Sequence, residues 1–187
     1  MYDSAMNRMG LWLLIGIMSV TVWGSLSVSQ NKQVPVMMFV GDSLLEGYQL
    51  PDTAAYPALV QVHFGTQNVQ VINAAESGDT SFNLRNRMNF LMTLHEPDIV
   101  FICIGANDGL RGMAIELMKS NITAIVERSQ SVANTVILAG MTLPKNYSKQ
   151  YIHKFEASMQ QIAVSANVLY LPYLLEGVGG VPELNLA

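Results

Sequence analysis

Three short clusters of small and polar residues contain groups suited to acyl transfer. The first is Gly41-Asp42-Ser43-Leu44, the second covers residues 73–81, and the third covers residues 105–109. A serine hydroxyl attacks an ester carbonyl effectively when fixed N–H donors stabilise the oxyanion that develops. Ser43 offers the hydroxyl. The backbone N–H groups of Ser43 and Gly78 and the side-chain amide of Asn107 are the candidate donors.

The segments around these clusters alternate between two hydrophobic patterns. Helical spacing of apolar residues occurs in four segments, and short runs rich in β-branched residues occur between them. The helical segments are 57–64, 84–91, 115–125 and 152–162, and the apolar runs are 34–40, 69–73, 99–104, 135–139 and 168–171. This alternation predicts an α/β fold of the flavodoxin-like type, with three α/β/α layers and a five-stranded parallel sheet.

Each polar cluster directly follows one of the first three predicted strands. The carboxyl ends of parallel strands meet at one edge of a sheet, and ligands bind outside that edge where the strand order reverses. We therefore expect Ser43, Gly78 and Asn107 to lie near one another although they are far apart in sequence. Ser43 is expected at or just before the beginning of a helix.

The three clusters resemble blocks I, II and III of the SGNH/GDSL hydrolases, and most of all the bacterial acyl-CoA thioesterase I, lysophospholipase and arylesterase group. The resemblance continues through residues 143–147 and 171–175. It implies a hydrolase without a cofactor that forms an acyl-Ser43 intermediate, with an oxyanion hole from Ser43, Gly78 and Asn107. The implied substrates are small acyl esters, thioesters or lysophospholipids.

The resemblance also implies a base that this sequence does not contain. In the family an Asp-x-x-His block follows the last strand, whereas here no histidine follows His153 and the sequence ends at Ala187. We therefore expect a hydrolase domain, residues 33–187, that is incomplete at its C-terminus and has a truncated last helix. The alternative function is a catalytically inactive SGNH module that keeps the crevice without the Asp/His base.

The histidines and glutamates elsewhere in the chain do not replace that base. We interpret the three histidines as structural, and a carboxylate alone is a weak base for serine. The residues in question are His63, His95, His153, Glu176 and Glu183.

The acidic residues around the three clusters receive structural interpretations as well. Asp42 is expected to organise its loop and Glu46 to be solvated. Asp79 and Asp108 are expected to support turns or neighbouring side chains.

The N-terminal segment predicts a location outside the cytoplasm. Residues 9–31 carry no charge and follow Arg8, which is typical of a secretory signal peptide and also compatible with a membrane anchor. We expect residues 1–27 to be a signal peptide or an N-terminal anchor. The protein would then be periplasmic or secreted in a bacterium, or membrane-anchored through residues 9–28 if they are not cleaved.

Composition and charge exclude several other classes. The net charge of −4 and the scattered lysines and arginines give no support for nucleic-acid binding. No His, Cys, Asp or Glu group has the spacing of metal ligands, and the single cysteine, Cys103, lies in an apolar run that predicts burial. A flavodoxin-like nucleotide or flavin binder shares the predicted topology, but the first loop lacks a phosphate-binding series of Ser, Thr and Gly residues.

Overall fold

Five parallel strands form the centre of residues 34–184, the part of the chain that the computed structural model describes. The strands are β1 (Val36–Gly41), β2 (Gln70–Asn73), β3 (Ile99–Cys103), β4 (Thr135–Ala139) and β5 (Leu169–Leu171). Their order is β2-β1-β3-β4-β5, and each neighbouring pair is parallel. The predicted flavodoxin-like α/β fold with five parallel strands is therefore confirmed.

Within residues 34–184, six α-helices lie between the strands. They are α1 (Ser43–Glu46), α2 (Tyr56–Phe64), α3 (Ser81–His95), α4 (Ala106–Leu110), α5 (Ile115–Gln130) and α6 (Lys149–Ala166). The chain steps from β1 to β2 in one direction and from β2 to β5 in the other. Because such crossovers are right-handed, α1 and α2 cover one face of the sheet, while α3, α5 and α6 cover the other. The direction reverses between β1 and β3, so the ligand crevice of this topology lies there.

The long helices bury the apolar residues that helical spacing predicts. In α6, Phe155 and Met159 are fully buried, and Ile162 is nearly so. In α5, Met118 and Ile122 are likewise buried. These side chains pack on the strands and on neighbouring helices in one continuous core.

The last described part of the chain contains turns and a short 3-10 helix, Pro182–Leu184, and within residues 34–184 no α-helix follows β5. The predictions for residues 1–27 and for membrane contact through residues 9–28 lie outside the described residues. Among the helices of residues 34–184, none has the length and apolar character needed to cross a bilayer.

Candidate active site

Ser43 is the first residue of α1, directly after the turn that ends β1. The Asp42 side chain caps this helix by accepting a hydrogen bond of 3.2 Å from the Leu44 N–H. Ser43 is partly exposed, and neither its N–H nor its hydroxyl has a hydrogen-bond partner among the described residues. The predicted position of Ser43 at the beginning of a helix is confirmed.

Asp42 is a buried carboxyl next to the serine. It has no exposed surface, and its Oδ2 has no hydrogen-bond partner among the described residues. Burial raises the pKa of Asp42 from 3.8 to about 6, the Leu44 N–H opposes this rise, and the charges of Asp108 and Asp79 add to it. Its organising role in the loop agrees with the sequence interpretation.

Gly78 lies in the loop between β2 and α3 and has a left-handed backbone, with φ of 85°. Its N–H has no acceptor among the described residues. A Cβ atom at this position would meet no heavy atom within 4 Å. Glycine is therefore required by the backbone conformation rather than by crowding.

Glu46 lies two residues after the first cluster, and its sequence interpretation as a solvated residue is incomplete. It is exposed, but its carboxylate accepts a hydrogen bond of 3.1 Å from the Ser77 N–H and a second one from the Ser77 hydroxyl. Glu46 is thus bound to the Gly78 loop and is not merely solvated. Glu46 is exposed as expected, and its contact with Ser77 was not foreseen because the partner is 31 residues away.

Asn107 lies on α4 and contacts the same loop from the other side. Its Nδ2 donates a hydrogen bond of 2.9 Å to the Asp79 carbonyl oxygen, and Arg111 donates one of 3.2 Å to the Gly78 carbonyl oxygen. Together with the Glu46–Ser77 contact, these bonds connect the loops that carry Ser43, Gly78 and Asn107. The three predicted site residues therefore lie on adjoining loops at the carboxyl edge of the sheet.

A buried polar network lies beneath these loops. Asp108 accepts hydrogen bonds from the Ser81 hydroxyl at 2.6 Å and from the Ser81 N–H at 2.8 Å. Asn121 donates to the Ser81 hydroxyl at 3.1 Å and accepts from Arg85 at 3.0 Å. Sequence reasoning missed Asn121, although a polar residue between the buried Met118 and Ile122 was the signal that could have found it.

Asp79 is fixed by Arg87 of α3. The Arg87 Nε donates to Asp79 Oδ2 at 2.8 Å, and another guanidinium nitrogen donates to the Ala74 carbonyl oxygen at 2.7 Å. Burial raises the pKa of Asp79, and Arg87 opposes that rise without cancelling it. Arg87 was also missed, since nothing in its sequence context indicates this partner.

The described histidines do not contact Ser43. His63 is exposed in the last turn of α2, and His95 lies in the last turn of α3, at the opposite edge of the sheet. His153 is exposed on α6 and lines a cavity of about 540 Å³ together with Met141 and Glu156. Ser43, Gly78 and Asn107 do not line that cavity, so we do not assign it to the site.

Among residues 34–184, no group of three or more His, Cys, Asp or Glu residues is arranged to hold a metal ion. Cys103 is fully buried, as predicted, with its Sγ 3.5 Å from the Met141 Sδ, and burial raises the pKa of its thiol.

A 2-1-3-4-5 parallel sheet with a serine at the end of β1 and the two further polar blocks after β2 and β3 defines a hydrolase of the SGNH class. The chain belongs to the GDSL-like Lipase/Acylhydrolase family, whose sequence model matches residues 39–184. Membership of this family supports serine hydrolase function at the family level.

Relatives and solved structures agree with this assignment. An arylesterase of Vibrio mimicus is 33% identical over 173 residues, which cover 91% of this chain and 86% of the relative. The thioesterase 1/protease 1/lysophospholipase L1 of Escherichia coli K12 is 32% identical over 147 residues, which cover 79% of this chain and 70% of the relative. The crystal structure of TesA superimposes with a TM-score of 0.78 at 33% identity, covering 81% of this chain and 86% of that one.

Proposed function

We propose that the protein hydrolyses small acyl esters or thioesters through an acyl-Ser43 intermediate, with an oxyanion hole formed by Ser43, Gly78 and Asn107. The observation that carries the proposal is the unused N–H groups of Ser43 and Gly78, on loops that are hydrogen-bonded to each other. The Asn107 amide has two hydrogens and donates one to Asp79, so the second remains for a ligand.

In the proposed reaction the Ser43 hydroxyl oxygen bonds to the acyl carbon while its proton passes to water, because no basic side chain among the described residues contacts this hydroxyl. The carbonyl oxygen becomes negative and accepts hydrogen bonds from the three donors, each typically contributing about 3–4 kcal/mol to transition-state stabilisation. The alcohol or thiol leaves with a proton, and water then attacks the acyl-serine to release the acid. The Vibrio arylesterase and the Escherichia coli thioesterase/lysophospholipase support esters, thioesters and lysophospholipids as substrate classes by their names.

A second candidate, an inactive module that binds such ligands without turnover, is favoured by one observation. The Ser43 hydroxyl has no basic partner among the described residues. Loss of the base from a serine triad lowers kcat by about 10⁴ to 10⁶, leaving only oxyanion-hole and binding effects.

Hydrolysis of p-nitrophenyl butyrate separates the two candidates. We expect turnover by the full chain and a loss of at least about 10³-fold in Ser43→Ala, because no other group would form the acyl intermediate. Ser165→Ala, an exposed serine on α6, is the matched control. Equal rates for the full chain and Ser43→Ala, both well above the uncatalysed background, would refute Ser43 as the nucleophile. Ligand binding without Ser43-dependent turnover would favour the inactive module.

We also propose that residues 1–27 direct the domain out of the cytoplasm or hold it at a membrane. The uncharged stretch 9–31 after Arg8 supports this.

A further inference from the structure

The two backbone donors of the proposed oxyanion hole come from different loops. Ser43 begins α1, while Gly78 lies between β2 and α3. An oxyanion hole is effective when its donors lie about 2.7–3.1 Å from one oxygen position. Something must therefore hold the Ser77–Gly78 peptide at a constant separation from the Ser43 N–H.

The α4 side of the Gly78 loop is held by two bonds already described. Arg111 binds the Gly78 carbonyl oxygen and Asn107 binds the Asp79 carbonyl oxygen. Both bonds lie on the C-terminal side of the Gly78 N–H. They fix this loop to α4 but not to the helix that carries Ser43.

On the N-terminal side, the Glu46 carboxylate binds Ser77 through its N–H at 3.1 Å and through its hydroxyl. Glu46 is the last residue of α1, the single helical turn that begins at Ser43. That turn is closed by the Gly47 N–H, which donates a hydrogen bond of 3.1 Å to the Ser43 carbonyl oxygen. The carboxylate is thus attached to Ser43 through one rigid helical turn.

A second contact strengthens the same connection. The Asn73 Nδ2, at the end of β2, donates a hydrogen bond of 2.9 Å to the Leu45 carbonyl oxygen of α1. The Asn73 Oδ1 accepts from the Ala75 N–H at 3.2 Å and so shapes the beginning of the loop. The turn itself is closed by the Asp79 N–H, which donates to the Glu76 carbonyl oxygen at 3.2 Å, and the Glu76 N–H donates to the Gly41 carbonyl oxygen at 3.1 Å. Glu46 adds to these backbone bonds the side-chain contact at Ser77, the residue directly before the Gly78 N–H.

We propose that Glu46 is a positioning residue that sets the separation of the Ser43 and Gly78 N–H donors by binding Ser77. The inference rests on the proposed function of these donors. Glu46 takes no proton from the substrate and does not touch it. Its effect is confined to the transition state, in which both donors must meet one oxygen.

Steady-state hydrolysis of p-nitrophenyl butyrate tests the kinetic consequence. We expect Glu46→Ala to lower kcat about tenfold with KM changed less than about twofold, a smaller loss than the roughly 10²–10³-fold cost of deleting a donor outright. Glu46→Gln keeps a carbonyl oxygen that accepts from the Ser77 N–H and should recover most of the kcat. Glu127→Ala, an exposed glutamate in the last turn of α5, is the charge-matched control.

Amide hydrogen exchange tests the contact without turnover. We expect the Ser77 N–H to exchange at least about tenfold faster in Glu46→Ala than in the wild type, because its acceptor is gone. Unchanged Ser77 exchange overturns the proposal, and so does faster exchange with a kcat equal to that of Glu127→Ala. Equal hydrolysis by wild type and Ser43→Ala refutes the nucleophile instead, and the Ser77 exchange rate then decides whether Glu46 holds the loop.

Discussion

Asp42 has two opposite effects on the free energy of unfolding, because it caps a helix but also buries a carboxyl group. One carboxylate oxygen caps α1, while the other is buried without a partner. The folded pKa of about 6 lies above the ordinary value of 3.8, so the folded state holds a proton between these values that the unfolded state has released. Stability contributed by Asp42 is therefore present at low pH and lost as the pH rises through about 6.

Asp42→Asn removes the buried charge and keeps an oxygen that can cap α1. We expect the variant to be more stable than wild type by about 1–2 kcal/mol at pH 8, since each pKa unit corresponds to about 1.4 kcal/mol and the new amide also lacks a partner. The difference should nearly vanish at pH 4, where the wild-type carboxyl is protonated. Urea unfolding at both pH values measures this, with the exposed Asp52→Asn as control. A difference independent of pH would contradict the assignment.

At the scale of elements, α3 anchors the Gly78 loop by a charged side chain from its second turn. Arg87 and Asp79 have side chains that are 19% and 11% exposed, so their pair is largely shielded from water. Arg87 also donates a hydrogen bond to the Ala74 carbonyl oxygen. The planar guanidinium binds this oxygen and Asp79 through different nitrogens, whereas a lysine has only one nitrogen for both partners.

Arg87→Lys and Arg87→Ala test this anchoring. We expect Arg87→Ala to lower the free energy of unfolding by about 2–3 kcal/mol at pH 8, because it leaves the Asp79 carboxylate with one fewer partner, and Arg87→Lys to lower it by about half as much. Chemical denaturation provides the measurement. Arg128→Ala on α5, whose guanidinium binds the Ser131 hydroxyl at the surface, is the control. Equal losses for Arg87→Ala and Arg128→Ala would mean that the Asp79 pair adds nothing.

The strands and helices were predictable from the sequence where the spacing of apolar residues determines them. The strands and long helices lie within a few residues of their predicted bounds, because apolar periodicity reflects burial directly. The helix α4 was not predicted, since Asn107, Asp108 and Gly109 are poor helix formers. Its packing depends on Gly109, because a Cβ atom there would lie 2.5 Å from the Leu143 side chain and 2.9 Å from the Phe155 side chain.

The candidate site was also predictable only in part. Ser43, Gly78 and Asn107 could be placed at one edge because strand order alone brings their loops together. The contacts between the loops could not be predicted, because Glu46 and Arg87 find partners through the packing of separate elements. Such pairs have no periodic signal in a single sequence.

At the scale of the whole molecule, the beginning of β1 and the candidate site lie at opposite edges of the sheet. Val34 precedes the beginning of β1, where the Pro35 carbonyl oxygen accepts from the Gln70 N–H at the beginning of β2. Ser43 follows the other end of β1.

Cell fractionation in a bacterial host tests the role of the N-terminal segment. We expect the full chain to be found in the periplasm or the membrane fraction and a chain that begins at residue 33 to remain in the cytoplasm, since we propose that the uncharged segment is the export signal. The intact mass of the exported protein separates cleavage from anchoring. Export of the shortened chain would contradict the proposal.

The bond from Asn107 to the Asp79 carbonyl oxygen has a consequence for what the crevice can recognise. A carbonyl oxygen only accepts, so the Asn107 group that faces it must be the NH₂ and not the amide oxygen. The amide cannot turn over to present its oxygen without losing this bond. With the N–H groups of Ser43 and Gly78 beside it, the proposed oxyanion hole presents three donors, and the neighbouring Ser43 hydroxyl both donates and accepts. The proposed hole would therefore favour an electron-rich oxygen over an ammonium group, which offers only hydrogens.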